Sequence, residues 1–332
     1  MSKVILSAFL DEGVPEEGIK DLPQQLMVGQ AVGLKYWTPR FIYNYETKGN
    51  LNILKLHDPE IKAVVEASKD YGFKIGCIGT AIGKEKLVDE DDGNKAPYTT
   101  PEQSLSNVKR GIEAALMADA TFLRAFSFYG VRGETPSNYL SQATDRLGPM
   151  VEECTKAKII YLMEMEAGVV GHNAENSLKI CKEINNPYLL VCTDAANSHV
   201  QGLNAFEEYK AVAEAGKLGL MHIKDYTNSC AEAIVIDEEA LRHFGSVDVG
   251  LVGHRRIFEH LKESLPSIDA MLTGLGAPGL ILDVEGHMKG GGQFGGWSGP
   301  DGLGVAVRAL TDTLNAIGIQ YVMRKYEDIK KK

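Results

Sequence analysis

The chain has 332 residues, of which 44% are hydrophobic, 24% charged and 8% aromatic, a composition that excludes disordered, collagen-like and fibrous classes. Its 45 Asp+Glu against 35 Lys+Arg give a formal charge of −10, which argues against a sequence-independent nucleic-acid binder, because such a protein meets the phosphate backbone with a basic surface. No apolar run approaches the ~20 residues that cross a bilayer, and the apolar start is too brief for a signal peptide.

Cys77, Cys154, Cys181, Cys192 and Cys230 are widely spaced, with no CxxC pair. They read as reduced thiols in a cytoplasmic protein, with no membrane partner expected.

Along the chain, short β-rich runs alternate with longer amphipathic segments. The first strand is expected at Val4–Phe9, before a helix over 16–32; a poorly defined second strand covers Leu34–Tyr43, before a helix over 58–71. Phe73–Thr80 pairs with a helix over 101–118, where Leu105, Val108, Ile112 and Leu116 keep the spacing of one helix face. Thr100 and Pro101 mark its start as a cap followed by an early proline. Thr121–Phe128 is followed by 135–156, and Lys158–Glu166 by 174–184. Tyr188–Thr193 is followed by 205–215, Gly219–Ile223 by 253–265, and Gly279–Glu285 by 301–318.

Eight strand–helix units in succession argue for parallel strands joined by right-handed crossovers, hence one (β/α)8 barrel domain over 1–332. A doubly wound open sheet is the alternative, weakened by the lack of a GxGxxG after the first strand. Two stretches interrupt the rhythm, 226–252 and the glycine-rich 286–304. Both follow strand C-termini, the end of a barrel where sites are built. Phe294 and Trp297 within the second favour a ligand-covering loop, with Trp297 a substrate contact.

The chemistry concentrates at the ends of the last four strands. Strand five ends Glu164-Met-Glu166, strand six Thr193-Asp194, strand seven carries His222-Ile-Lys224, and strand eight Asp283-Val-Glu285-Gly-His287. Alternate residues share a face, so Glu164 and Glu166 point together, as do His222 and Lys224. Several carboxylates crowded at one barrel mouth repel one another unless a cation joins them, and a bound divalent ion supplies the largest local charge. Oxygen-rich ligation with one imidazole suits Mn²⁺ or Mg²⁺ first, with Co²⁺ and Zn²⁺ as further candidates.

These features resemble the sugar phosphate isomerase/epimerase family with the xylose-isomerase-like TIM barrel. The resemblance runs from Val4-Ile-Leu-Ser-Ala-Phe-Leu-Asp-Glu12 through Ile78-Gly-Thr-Ala-Ile-Gly-Lys84, Leu123-Arg-Ala-Phe-Ser-Phe128 and Glu164-Met-Glu-Ala-Gly168. It continues in Asp194-Ala-Ala-Asn197, His222-Ile-Lys-Asp225 and Val284-Glu-Gly-His287, the last followed by Phe294-Gly-Gly-Trp-Ser-Gly-Pro300. It implies a single divalent ion, Mn²⁺ foremost, held by Glu164, Asp194, His222 and Glu285. Glu166 is the competing strand-five ligand; Glu164 is preferred because the family's ligand precedes a two-residue tail before the glycine.

The resemblance also implies that the two metal-binding glutamates serve as the acid/base pair. Glu164 and Glu285 are therefore the first catalytic candidates, with Glu166 as a relay or substrate contact. The family often places a histidine three residues after the strand-six aspartate. Here that position is Asn197, with His199 two further on; both are carried as substrate contacts. His287 is a candidate base or hydrogen-bond donor, and Lys224 a phosphate or enolate contact or else a salt-bridge partner. Arg124 lines the pocket or braces a ligand carboxylate.

His57, His243 and His260 read as surface groups, His172 lies near the mouth, and His254 opens a helix. Trp37 and Tyr43 are equally readable as ring-stacking or core residues.

The expected activity is isomerisation or epimerisation of a keto sugar by a metal-stabilised enolate. A lyase eliminating the aglycone from 3-keto glycosides, resembling the catalytic subunit of C-glycoside deglycosidases with its small β-rich partner, is the alternative. An abasic-site endonuclease is remote, needing more ligands and a basic groove, and a metal-free sugar-binding barrel conflicts with the full ligand set. A homo-oligomer is expected, or a hetero-oligomer with the small β subunit for the lyase.

Overall fold

The computed structural model describes residues 2–14, 18–228, 238–288, 299–325 and 328. Eight parallel strands form the barrel: β1 (Val4–Ala8), β2 (Tyr36–Trp37), β3 (Cys77–Gly79), β4 (Phe122–Ala125), β5 (Ile160–Glu164), β6 (Leu189–Asp194), β7 (Leu218–Ile223) and β8 (Ile281–Val284). Strands β3 to β8 pair in sequence, and β8 pairs with β1.

Closure passes through β2. It pairs with Lys74–Ile75, while Thr38 N donates to Ala8 O at 3.1 Å and Gly79 N to Pro39 O at 3.0 Å. Every residue of β1, β5, β6 and β7 is buried. That explains their nearly unbroken apolar character, since a barrel strand is covered by helices outside and side chains within.

The helices are α1 (Leu22–Ala31), α2 (Asp58–Asp70), α3 (Pro101–Met117), α4 (Leu140–Ala157), α5 (Ala174–Ile184), α6 (Ala205–Glu214), α7 (His254–Gly274) and α8 (Gly299–Ile317). The Thr100 cap forms as the sequence predicts: Thr100 Oγ1 accepts from Gln103 N at 3.3 Å, and Gln103 Oε1 accepts from Thr100 N at 2.9 Å. Two orphan amides at the start of α3 are thereby satisfied.

Several expected boundaries move for physical reasons. The second strand splits at Thr38-Pro39-Arg40: Tyr36–Trp37 stays in the barrel, and Phe41–Asn44 turns into an antiparallel hairpin with Gly49–Asn52. The third breaks at Gly76, where a Cβ would lie 2.6 Å from Ile281 Cδ1 across the barrel. The first helix begins only at Leu22, capped by Asp21 through Gln24 N. In the opposite direction, α7 continues past Pro266 to Gly274 because Ile268 and Leu272 extend its buried stripe. Burial there outweighs the hydrogen bond that proline removes.

Four short elements carried too little periodicity to be foreseen: the helix Ala195–Val200, the paired strands Asp225–Tyr226 and Phe244–Gly245, and Tyr321–Val322 beside β1. Among the described residues no helix is long and apolar enough to cross a membrane.

Candidate metal centre

Strand register brings the four candidate ligands to one place. His222 sits directly opposite Asp194 on one side and Asp283 on the other. Glu164 pairs with Cys192, two residues before Asp194, and Glu285 lies two residues beyond Asp283. Because side chains alternate along a strand, all four share the inward face at the C-terminal end. Their ligand atoms (three carboxylate oxygens and one imidazole nitrogen) all lie within 4.8 Å of one another, and all four residues are buried.

The imidazole Nδ1 is the hub. It stands 3.1 Å from Glu164 Oε1, 3.4 Å from Glu285 Oε2 and 3.9 Å from Asp194 Oδ2. Asp194 is held by its second oxygen, which accepts from Asn197 N at 2.9 Å and caps the short helix Ala195–Val200. Placing a helix start immediately after the strand thus fixes the carboxylate.

A ring of cations surrounds these acids. Lys224 Nζ lies 2.8 Å from Asp194 Oδ2 and 2.9 Å from Glu285 Oε2. Arg124 Nε is 3.3 Å from Glu164 Oε2 while its Nη1 donates to Thr80 O at 2.8 Å. Arg40 Nη1 donates to Glu285 Oε1 at 2.8 Å, and its Nη2 reaches Asp11 at 2.9 Å and Glu12 at 3.0 Å. His287 Nδ1 stands 2.8 Å from Glu12 Oε1, and its Nε2 3.6 Å from Glu285 Oε1.

Burial alone raises a carboxyl pKa, but here the neighbouring positive charge wins. Against that burial, His222 and Arg124 hold Glu164 at about 2. Burial at Glu285 is likewise overcome by Lys224, His287 and His222, which keep its carboxyl well below the usual range. His222 moves upward: burial opposes its charged form, but the Glu164 and Glu285 carboxylates beside it favour that form. Burial raises the Cys192 thiol to about 11, and the clustered donors are three carboxylate oxygens and one imidazole nitrogen.

Those donors fit a hard or borderline divalent ion. Opposite ligands on a shell of ~2.1–2.4 Å radius stand roughly 4.2–4.8 Å apart, and the four ligand atoms all lie within 4.8 Å of one another. Glu164 Oε2, moreover, is buried without a hydrogen bond.

A cavity of about 320 Å³ opens directly on this cluster, with Glu164 and Glu285 in its wall together with Lys224, Arg124, Arg40 and His287. Glu166 and Asn197 line it too, Glu166 being ion-paired to Lys84 at 2.7 Å rather than joined to the ligand cluster. Gly83 sets that lysine. Its φ of +80° and a Cβ position only 2.2 Å from Phe126 O leave room for glycine alone.

His199 is not among the lining residues; its Nε2 meets Asn228 O at 3.2 Å. Trp297, Phe294 and Cys230 lie outside the described residues. Trp37 is core, its Nε1 donating to Ser68 Oγ, and Tyr43 packs on Tyr45. His57 is exposed, whereas His243 and His260 are half-buried against Tyr226 and Tyr209, so the surface reading fails for those two. His254 opens α7 with its Nδ1 2.9 Å from Asp225.

Arg40, Glu12 and Lys84 are site residues that the sequence reading passed over. Arg40 sat in the ill-defined second strand. The signal available for Glu12 was an acidic pair immediately after β1, at the same barrel end as the other acids.

Glu12 also yields a pH test. Burial raises its carboxyl, but His287 and Arg40 reverse this and hold it at about 2 against an ordinary 4.5. A depressed folded-state pKa contributes stability above the unfolded value that is lost as pH falls towards the folded one. The stability advantage of wild type over Glu12→Gln is therefore expected to shrink between pH 4.5 and 2. Denaturant melts of both proteins at each pH measure it; an advantage that holds constant or grows there contradicts the assignment.

No curated protein sequence matches the chain. The sequence family described as xylose isomerase-like TIM barrel matches residues 30–267. Among solved structures, a xylose isomerase-like TIM barrel protein from Mycobacterium smegmatis in complex with magnesium superposes with TM-score 0.62 at 17% identity, over 96% of this chain and 97% of that one. The probable 3-DHS dehydratase AsbF of Bacillus anthracis, involved in petrobactin synthesis, gives 0.63 at 12% identity, over 93% and 98%. D-psicose 3-epimerase of Clostridium cellulolyticum H10, solved with D-tagatose, gives 0.59 at 9% identity, over 97% and 100%. At such identities the likeness is one of fold.

Proposed function

The chain belongs to the xylose isomerase-like TIM-barrel family, and from that premise we propose that it is a divalent-metal-dependent enzyme that moves a proton on the carbon beside a sugar carbonyl, as an isomerase or epimerase. The observation that carries this reading is the buried Glu164–Asp194–His222–Glu285 set opening into a cavity sized for one polar ring. The magnesium named with one relative and the epimerase activity named for another support it.

Glu164, Asp194, His222 and Glu285 would hold the ion, Mn²⁺ or Mg²⁺ by donor type. When bound it supplies Lewis-acid stabilisation of negative charge on the substrate oxygens.

The remaining work falls to side chains. Glu164 and Glu285 face the cavity from strands three apart around the barrel, so one carboxylate can take a proton from one face of a ring while the other returns it to the opposite face. Arg124 and Arg40, each anchored to a second group, prevent those carboxylates from rotating away. His287 and Lys224, both in the wall, are placed to donate to substrate hydroxyl or carbonyl oxygens. Glu166 at the far side can pass a proton outward, its carboxylate steadied by Lys84.

A second reading, elimination by the same proton abstraction with loss of a β-substituent, is supported by the fold shared with a probable dehydratase. Release of an aglycone from a 3-keto glycoside, with a small partner subunit, would be its form here.

One experiment separates the readings. Incubated in D₂O with keto sugars and Mn²⁺, the protein is expected to place deuterium at the carbon next to the carbonyl. A new epimer or aldose supports isomerase or epimerase action, and an unsaturated product or released aglycone supports elimination. No exchange with any keto sugar or keto glycoside contradicts proton abstraction altogether.

A further inference from the structure

A second and larger cavity, of about 720 Å³, adjoins the catalytic one, and Glu166 lines both. The Lys84–Glu166 ion pair stands at the junction, with Lys84 on the catalytic side. The larger space is walled by the loops that follow β3 and β4 and by residues after β5 and β6. Its lining mixes apolar surface from Tyr129, Val131, Pro136 and Leu203 with the amides of Asn94 and Gln201 and the charged side chains of Lys95, Arg132 and Glu134.

We propose that this cavity receives a second ring joined to the reacting sugar, so that the substrate is a two-ring glycoside rather than a free monosaccharide; this rests on the catalytic reading above. Ligand clefts run from about 300 to 1,000 Å³. The catalytic cavity, at about 320 Å³ and walled largely by charged groups, is at the lower bound and suits one polar ring. The adjoining space has more than twice that volume and a different chemistry. Apolar and aromatic faces take the flat side of a ring while amides meet its edge hydroxyls, a combination that recognises either a sugar or a hydroxylated aromatic.

The site is also preformed. Tyr129 is clamped on both sides of its backbone, its N donating to Glu85 O and its O accepting from Leu87 N, each at 2.9 Å. Gln201 is fixed by bonds from its amide nitrogen to Asn197 O at 2.9 Å and His172 O at 3.3 Å. Asn197 lines the catalytic cavity, so the two spaces share a hydrogen-bonded wall. Little ordering is then required on binding, which favours affinity.

The test compares binding of methyl β-glucoside, phenyl β-glucoside and cellobiose to the full chain by calorimetry, which needs no turnover. The two-ring probes are expected to bind at least ~10-fold more tightly than the methyl glycoside, and their ranking tells an aromatic from a sugar second ring. Leu203→Trp, which fills the cavity away from the ligand cluster, is expected to erase that preference and leave methyl glucoside binding unchanged. Val131→Trp provides the same test should Leu203→Trp fold poorly. Equal or absent binding of the two-ring probes in wild type, or a preference that survives both substitutions, overturns the proposal. Failure of deuterium exchange instead overturns the catalytic reading and leaves these binding results standing.

Discussion

His222→Ala is expected to lose bound divalent metal and to lower turnover at least ~10³-fold, the scale on which removing preorganised charge stabilisation acts. His222 is the only nitrogen donor of the set and its Nδ1 lies within 4 Å of all three carboxylates. Without it, Glu164, Asp194 and Glu285 retain their mutual repulsion and lose the group at their centre. The barrel is expected to remain folded, because β7 keeps its parallel pairing with β6 and β8 through the backbone. Metal analysis of the purified variant, with circular dichroism as a control for folding, checks this. Wild-type metal content in a folded His222→Ala protein contradicts the proposed ligand set.

Lys224→Met gives the second large effect, on stability. The Lys224 ammonium is buried and shared between Asp194 and Glu285 at 2.8 and 2.9 Å. Burial disfavours its charge, but those carboxylates outweigh this and raise its pKa. Removing one partner from a buried ionic group leaves the others uncompensated, at a cost of about 3–5 kcal/mol. The metal-free variant is therefore expected to unfold at clearly lower denaturant concentration than metal-free wild type. Saturating Mn²⁺ is expected to recover most of the difference, because a dication relieves the same two carboxylates and ligation to the native state stabilises it. A deficit of equal size with and without Mn²⁺ shows that Lys224 does not share their charge compensation with the ion.

How much of this was legible in the sequence depends on the kind of signal. The barrel was readable because β5, β6 and β7 are apolar up to their C-terminal ends and each is followed by an amphipathic segment. The side-chain period of two pairs Glu164 with Glu166 and His222 with Lys224 within their strands, whereas the set Glu164, Asp194, His222 and Glu285 is what the family resemblance implies. The alternation could not separate Glu164 from Glu166, two residues apart on one face. In the structure Glu164 clusters with Asp194, His222 and Glu285, whereas Glu166 is ion-paired to Lys84.

The cation ring was only partly foreseen. Arg124 stands on β4 and Lys224 directly follows β7, whereas Arg40 follows a two-residue strand too short to show a pattern, and its contacts to Asp11, Glu12 and Glu285 span 28 to 245 positions. Long-range pairings of this kind leave no local periodicity. His199 illustrates the converse. Its position after Asp194 invited a role at the cavity, but the short helix Ala195–Val200 carries it round to Asn228 instead.

The most direct test of the central claim is anomalous scattering from a crystal of the protein grown with Mn²⁺. One manganese peak per chain is expected, bonded to Glu164, Asp194, Nδ1 of His222 and Glu285. A structure with those four side chains ordered and no peak among them, or with manganese bound only elsewhere, contradicts it.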